Sequence, residues 1–318
     1  MTNHAFREID ERANLTSSNQ FELLLFRLGE APGTDRRELF GINVFKVREI
    51  MVMPTITAMV NAPPNVMGVA NIRGQIIPVI NLAAVAGCTP KSGLTILLVT
   101  EFARSTQGFA VEEVNEIVRL EWNQALSAEG QGGGLVTSIA RLDGDAENTR
   151  LVQVLDVEKI LRDVMPQTQQ TALSASAGSV VLPPGTVVLA ADDSGVARSI
   201  IEQGFKSMGI PYIMTKTGKE AWERLQTIAT QAKAEGKTVR DKIALMLTDL
   251  EMPEMDGFTL TRNIKNDGRF AGIPVVIHSS LTGTTNEGHV AAVGADAYIA
   301  KFAADELAAT LREVLSRR

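Results

Sequence analysis

IALMLTDLEMPEMDG, residues 243–257, decides the fold of the second half of the chain. Five apolar residues and a threonine run without a charge into Asp249, and an acidic, proline-containing loop then closes on Asp256 and Gly257. An uninterrupted apolar run this short, bounded by turn residues, reads as a strand buried on both faces, as in a parallel sheet. Working outward, VVLAADDSGVARSII (187–201) repeats the pattern and ends its run on Asp192 and Asp193. IPVVIHSSLTG (273–283) ends its run at Ser279, and GADAYIAK (294–301) ends at Lys301. Strands expected at 187–191, 212–215, 243–248, 275–277 and 297–300 alternate with helical patterns at 196–207, 218–234, 258–266, 286–293 and 304–316. Five such βα units imply a doubly wound α/β sheet, which places ligands at the carboxyl ends of its strands.

Asp192, Asp193, Asp249, Ser279 and Lys301 all follow such runs, so one sheet edge gathers them although they lie far apart in sequence. Three crowded carboxylates raise one another's pKa unless a hard cation neutralises them. Mg2+ suits oxygen ligands of this kind and is commonly completed by phosphate oxygens. With Mg2+ on Asp193 and Asp249, and on Asp192 through water, Asp249 becomes a carboxylate nucleophile for an incoming phosphoryl group. Lys301 supplies a second positive charge and Ser279 a hydrogen bond. Singly, each residue also has a structural reading: Asp193 as a helix N-cap, Ser279 as a turn residue, Lys301 as a solvated charge.

These four motifs resemble the response-regulator receiver family over about 130 residues. The resemblance implies that the backbone carbonyl of Glu251 completes the metal site and that Tyr298 is an aromatic switch coupled to Ser279. The chain departs from the family at Phe302, where a proline usually follows the lysine, and in a second βα unit lengthened over residues 228–241. The insertion is expected away from the pocket.

The first half reads differently. Short β-rich runs at 21–28, 39–47, 75–80, 95–100, 108–111, 135–142 and 151–154, punctuated by Gly and Pro, suggest a barrel or sandwich. The glycines at 130–134 lack the Lys-Ser or Lys-Thr of a phosphate loop and are expected to form a mobile loop. No nucleophile, base and orienting acid stand together. The only cysteine, Cys88, has no nearby histidine and is expected to be a structural thiol. This half is expected to bind rather than react.

Its most informative stretch is GVANIRGQIIPVINL (68–82). Arg73-Gly74 reads as a turn between extended runs, and Pro78 fits an edge strand or bulge. With FGINVFKVREIM (40–51) and FAVEEVNEIVRL (109–120), this stretch resembles the CheW-like family of chemotaxis coupling domains. The resemblance implies a pair of SH3-like five-stranded barrels around a hydrophobic groove, with residues 40–51 an exposed strand and its continuation. It also implies binding to the histidine kinase CheA and to the cytoplasmic tips of chemoreceptors. Gly68, Asn71, Arg73 and Gly74 then mark the interaction surface, with Val44, Val47 and Glu49 as further candidates, although each also has a structural reading.

At 318 residues the chain suits two domains, and 45% apolar with 21% charged residues is ordinary globular composition. Residues 1–20 form a polar arm, 21–164 the coupling domain, 165–185 a linker rich in Gln, Thr, Ser and Ala, and 186–318 the receiver. Residues 180–182 are apolar enough to dock on one domain. A net charge of −6 argues against nucleic acid as a partner. No export signal or membrane-length apolar run is visible, so a cytoplasmic protein without direct membrane insertion is expected, beside membrane-bound receptor arrays. A CheW-like domain followed by a receiver is the architecture of the CheV family, which the whole chain resembles. The resemblance implies a non-enzymatic adaptor phosphorylated at Asp249, serving adaptation or as a phosphate sink. The alternatives are a response regulator with a catalytic or other binding output, and a scaffold whose receiver is silent.

Overall fold

The structure is a computed structural model that describes residues 20–102, 105–127, 134–143, 149–166, 180–280, 293–301 and 304–317. The expected N-terminal arm apart from Gln20, the glycines at 130–133, most of the linker, the helix expected at 286–293 apart from Val293, and Phe302 lie outside those residues. The chain divides into two compact units, one over Phe21–Gln170 and the other within Thr171–Arg318.

The first unit is built on two sheets. One has six strands in the order β8-β1-β2-β11-β10-β9, from Glu113–Glu121, Gln20–Arg27, Leu39–Asn43, Leu151–Leu155, Val136–Arg141 and Ala125–Ser127. The other has five in the order β3-β6-β7-β5-β4, from Val47–Val52, Ile96–Phe102, Ser105–Val111, Gln75–Asn81 and Val66–Ile72. Strand alternation explains why several of these sequences are apolar throughout. On β1, Phe21, Leu23 and Leu25 face the core of their own sheet, while Leu24 and Phe26 join a second core. On β6, Leu97 and Val99 face inward in the second sheet, and Leu98 joins that same second core. Leu24, Phe26, Phe40, Leu98, Phe109 and the helix Val157–Val164 (α2) thus meet in one cluster shared by the two sheets. A shorter helix, Leu82–Val85 (α1), adds Leu82 and Ala83 to it.

Four expectations are corrected here. The first sheet has six strands rather than five, because a 3-10 turn at Trp122–Gln124 is followed by three residues that pair with β10. The expected strand over 39–47 is broken after Asn43, whose side chain accepts a hydrogen bond from the Phe45 N–H (3.0 Å) and turns the chain from one sheet to the other. Its first part is not exposed: β2 is buried along its whole length. Pro78 lies on an interior strand, β5, but pairing with β7 begins only at Val79, so the missing N–H falls where that ladder has not started. Helix α2 is not among the expected elements, yet Val157, Ile160, Leu161 and Val164 follow helical spacing behind an Asp156 N-cap.

The second unit is a five-stranded sheet, order β13-β12-β14-β15-β16, from Tyr212–Thr215, Val187–Ala191, Ile243–Thr248, Val275–Ser279 and Ala297–Ala300. All four pairings are parallel. Val188 and Ala190 pack against the helices Gly195–Met208 (α3) and Ala304–Ser316 (α6). Leu189 and Ala191 face the helices Gly218–Ala234 (α4) and Gly257–Asn266 (α5). Both faces are buried, hence the unbroken apolar runs. The lengthened α4 continues through a 3-10 turn at Val239–Asp241 into the start of β14, at the amino edge of the sheet and away from its carboxyl ends. Val180 is buried in this unit's core, with Leu182 packed beside it.

Candidate functional site

The strand order of the second unit's sheet reverses between β12 and β14, and there the crevice at the strands' carboxyl ends opens. Asp192 and Asp193 follow β12 and Asp249 follows β14; one carboxylate oxygen from each lies within 4.8 Å of the others. The N-cap alternative for Asp193 does not hold, because Ser194 caps α3, its hydroxyl accepting from the Ala197 N–H (3.3 Å). Lys301, buried at the end of β16, brings its Nζ to 2.7 Å from Asp249 Oδ2 and 3.0 Å from Asp192 Oδ2.

The carboxylates differ in their surroundings. Asp249 Oδ1 accepts from the Leu250 N–H at 2.7 Å. Asp192 Oδ1 accepts from the Ser194 N–H at 2.9 Å, while its buried Oδ2 has the ion contact with Lys301 but no aligned hydrogen bond. Burial pushes Asp192 up to about 7, with Lys301 opposing and the charge of Asp249 adding to the rise. A divalent cation fits such a place: three convergent carboxylate oxygens, one of them incompletely satisfied, outnumber a single lysine.

Ser279 is buried at the end of β15, and its carbonyl accepts from the Lys301 N–H at 2.8 Å. Tyr298 is half-buried on β16 opposite Ile277, and Ser279 is opposite Ala300, so strand alternation puts Tyr298 and Ser279 on one face. Glu251 is half-buried in the loop after Asp249.

Two supports of this pocket escaped the sequence reading. A Cβ on Gly257 would lie 2.0 Å from the Asp249 carbonyl oxygen, and its N–H donates to the Leu250 carbonyl (2.9 Å); the start of α5 therefore seats directly on the acceptor loop. Arg198, on the first turns of α3, donates to the carbonyls of both Asp192 (2.9 Å) and Asp193 (2.8 Å). The spacing DDxxxxR carries the only signal for it, and that signal becomes legible once the helix start is fixed.

In the first unit, Arg73 (φ 52°) and Gly74 (φ 88°) form a two-residue hairpin turn between β4 and β5, both in the left-handed region that a type I′ turn requires. Asn71 supports it by accepting from the Gly74 N–H at 2.9 Å. Gly68 answers a backbone need: at φ 143° its Cβ would sit 2.2 Å from the Thr57 carbonyl oxygen. Val44 and Val47 are half-buried against the core between the sheets. Arg73 reaches outward with a 77% exposed side chain and pairs with Glu49 at 2.8 Å. The strands around this pair also expose Ile50, Val52 and Ile76.

Residues 22–165 match the CheW-like domain and residues 188–312 the response regulator receiver domain. The chain is 29% identical over 317 residues to the chemotaxis protein CheV3 of Helicobacter pylori, covering 97% of this chain and 99% of that protein. CheV1 of the same organism is 29% identical over 329 residues, covering 96% of this chain and 97% of that protein. The chemotaxis protein CheW of Klebsiella aerogenes is 31% identical over 143 residues, covering 44% of this chain and 81% of that protein. Two domains matched in this order, and relatives aligned along nearly the whole length, place the chain in the CheV-type family of chemotaxis coupling proteins, a CheW-like domain joined to a receiver.

Proposed function

We propose that this chemotaxis coupling adaptor accepts a phosphoryl group on Asp249 from the histidine kinase CheA, and that the modification alters how its CheW-like domain engages the kinase and chemoreceptor tips. The convergence of Asp192, Asp193 and Asp249 on one sheet edge, with Lys301 between two of them, carries the reading. An Asp249 oxygen forms the P–O bond as the P–N bond of a phosphohistidine breaks, its electron pair returning to the imidazole. Lys301, paired with that carboxylate at 2.7 Å, would donate to a phosphoryl oxygen; the Ser279 hydroxyl would offer a further hydrogen bond, and Tyr298 shares its face.

Asp193, Asp249 and the Glu251 carbonyl would hold Mg2+, with Asp192 through water. Bound there, the ion would neutralise phosphoryl charge. On the coupling side, the Arg73–Glu49 ion pair and, elsewhere on the same sheet, exposed Ile50, Val52 and Ile76 offer a partner both charge and apolar surface. Among the described residues no helix is long and apolar enough to cross a membrane. Its output is binding rather than catalysis.

Receptor-coupled CheA activity, measured with wild-type protein and with Asp249→Asn, tests this. Both proteins should bind CheA and a receptor fragment, and only wild type should change kinase output as phosphoryl groups accumulate. Failure of either protein to bind kinase or receptor would contradict the adaptor role.

A further inference from the structure

Asp192 and Asp193 occupy the two positions between the end of β12 and the N-cap of α3. The Asp192 N–H still donates to the Thr215 carbonyl at 3.3 Å, but the register of β12 with β13 ends at Ala191, so the dihedrals that aim both side chains lie at the ladder's margin. The first intrahelical bond here runs from the Arg198 N–H to the Ser194 carbonyl at 2.9 Å, so the carbonyls of Asp192 and Asp193 lie outside the helix. The Arg198 side chain folds back toward the helix start, the direction helical side chains favour. One of its terminal nitrogens donates to both carbonyls, at 2.9 Å and 2.8 Å.

We propose that Arg198 is a positioning residue of the acidic pocket: its guanidinium clamps the Asp192 and Asp193 carbonyls so that their carboxylates converge with Asp249 on a divalent cation. This rests on the pocket reading above. Two bonds from one rigid, always-charged group hold the orientation of two successive peptide groups, and with it the aim of both carboxylates. Asp193 depends on this most, because it is half-buried and lacks the tight enclosure that holds Asp192. Mg2+ demands near-octahedral geometry at short distances, so a small rotation of one carboxylate costs affinity. The clamp also sets a second positive charge behind a pocket where three carboxylates cluster and two of them pair with Lys301.

The test is Mg2+ titration of the full-length protein by calorimetry, with phosphoryl labelling from acetyl phosphate followed across the same Mg2+ range. Arg198→Met, which keeps the aliphatic stem and loses both bonds, should weaken Mg2+ binding about tenfold or more, the usual scale for removing an outer support of a metal ligand. Arg198→Gln, milder and better able to fold, should weaken it by about threefold or more, since a shorter neutral amide cannot replace a charged bridge. In both, the labelling rate at saturating Mg2+ should return to that of wild type, a shift in Mg2+ requirement that a merely structural residue would not produce. Unchanged Mg2+ affinity in Arg198→Gln, or slower labelling in either variant with no change in Mg2+ dependence, would overturn the proposal. Absence of Mg2+ binding by wild type would instead overturn the pocket reading beneath it.

Discussion

Glu112 in the CheW-like unit and Asp192 in the receiver unit are both carboxylates removed from solvent, and the chain treats them in opposite ways. Burial pushes Glu112 up, yet it is held down at about 2 by the Ser92 N–H, the Ser92 hydroxyl, Arg37 and the Lys91 N–H. Those bonds are 2.7, 2.9, 3.0 and 2.6 Å long, and they occupy both of its oxygens. Its charge is fully compensated, and it ties the turn at residues 91–92 and the segment around Arg37 to the end of β7. Asp192 keeps one oxygen without an aligned hydrogen bond, beside a second carboxylate, and is pushed up. A buried charge with both oxygens bonded holds structure together; one left short, among like charges, is strain that a ligand relieves.

Neutralising each carboxylate should therefore act with opposite sign. Glu112→Ala should lower the stability of the first unit by about 3 kcal/mol, because Arg37 loses its buried partner and two backbone N–H groups lose their acceptor. Calorimetry of the full chain reads this as a shift of one transition alone. The depressed carboxyl gives the same contrast a pH signature: its contribution is complete above about pH 4.5 and is lost as pH falls through about 2, and Glu112→Gln should flatten that acid limb.

Asp192→Asn should instead stabilise the metal-free receiver, by on the order of 1 kcal/mol at pH 8. A carboxyl raised in the folded state favours folding at low pH and opposes it as pH rises, so the advantage of Asn should open from about pH 4 and level off above about 7. Equal stabilities of the two proteins at pH 8 would break the comparison. Arg73→Ala should have the smallest effect on stability, under about 1 kcal/mol, since the arginine's side chain is 77% exposed and solvent screens its pair with Glu49. It should nonetheless weaken capture of a receptor fragment, separating a residue that binds from one that supports.

The two units were also unequally legible. The receiver sheet could be read because its strands are buried on both faces and end in charged or hydroxyl residues, which marks both element and edge: Ile243–Thr248 and Gly218–Ala234 fall where the pattern puts them. Asp192, Asp193, Asp249 and Lys301 meet because a parallel sheet forces strand ends together. Arg198 and Gly257 stayed hidden, since their work is backbone contact, which leaves almost no pattern. In the CheW-like unit, the run over 39–47 carries β2 past its true end, because the Asn43 turn leaves the apolar pattern unbroken up to Val47, where β3 begins. The strand Glu113–Glu121 carries too many charges to look like one. Val44 and Val47 match a motif for surface yet pack against the core, whereas Arg73 reaches outward to pair with Glu49.

The most direct test is incubation of the full-length chain with phosphorylated CheA and Mg2+, followed by mass spectrometry of the intact protein and its peptides. One phosphoryl group should appear on the peptide containing Asp249 in wild type, and none in Asp249→Asn. Stoichiometric labelling that persists in Asp249→Asn, or that maps to another residue in wild type, would contradict the account.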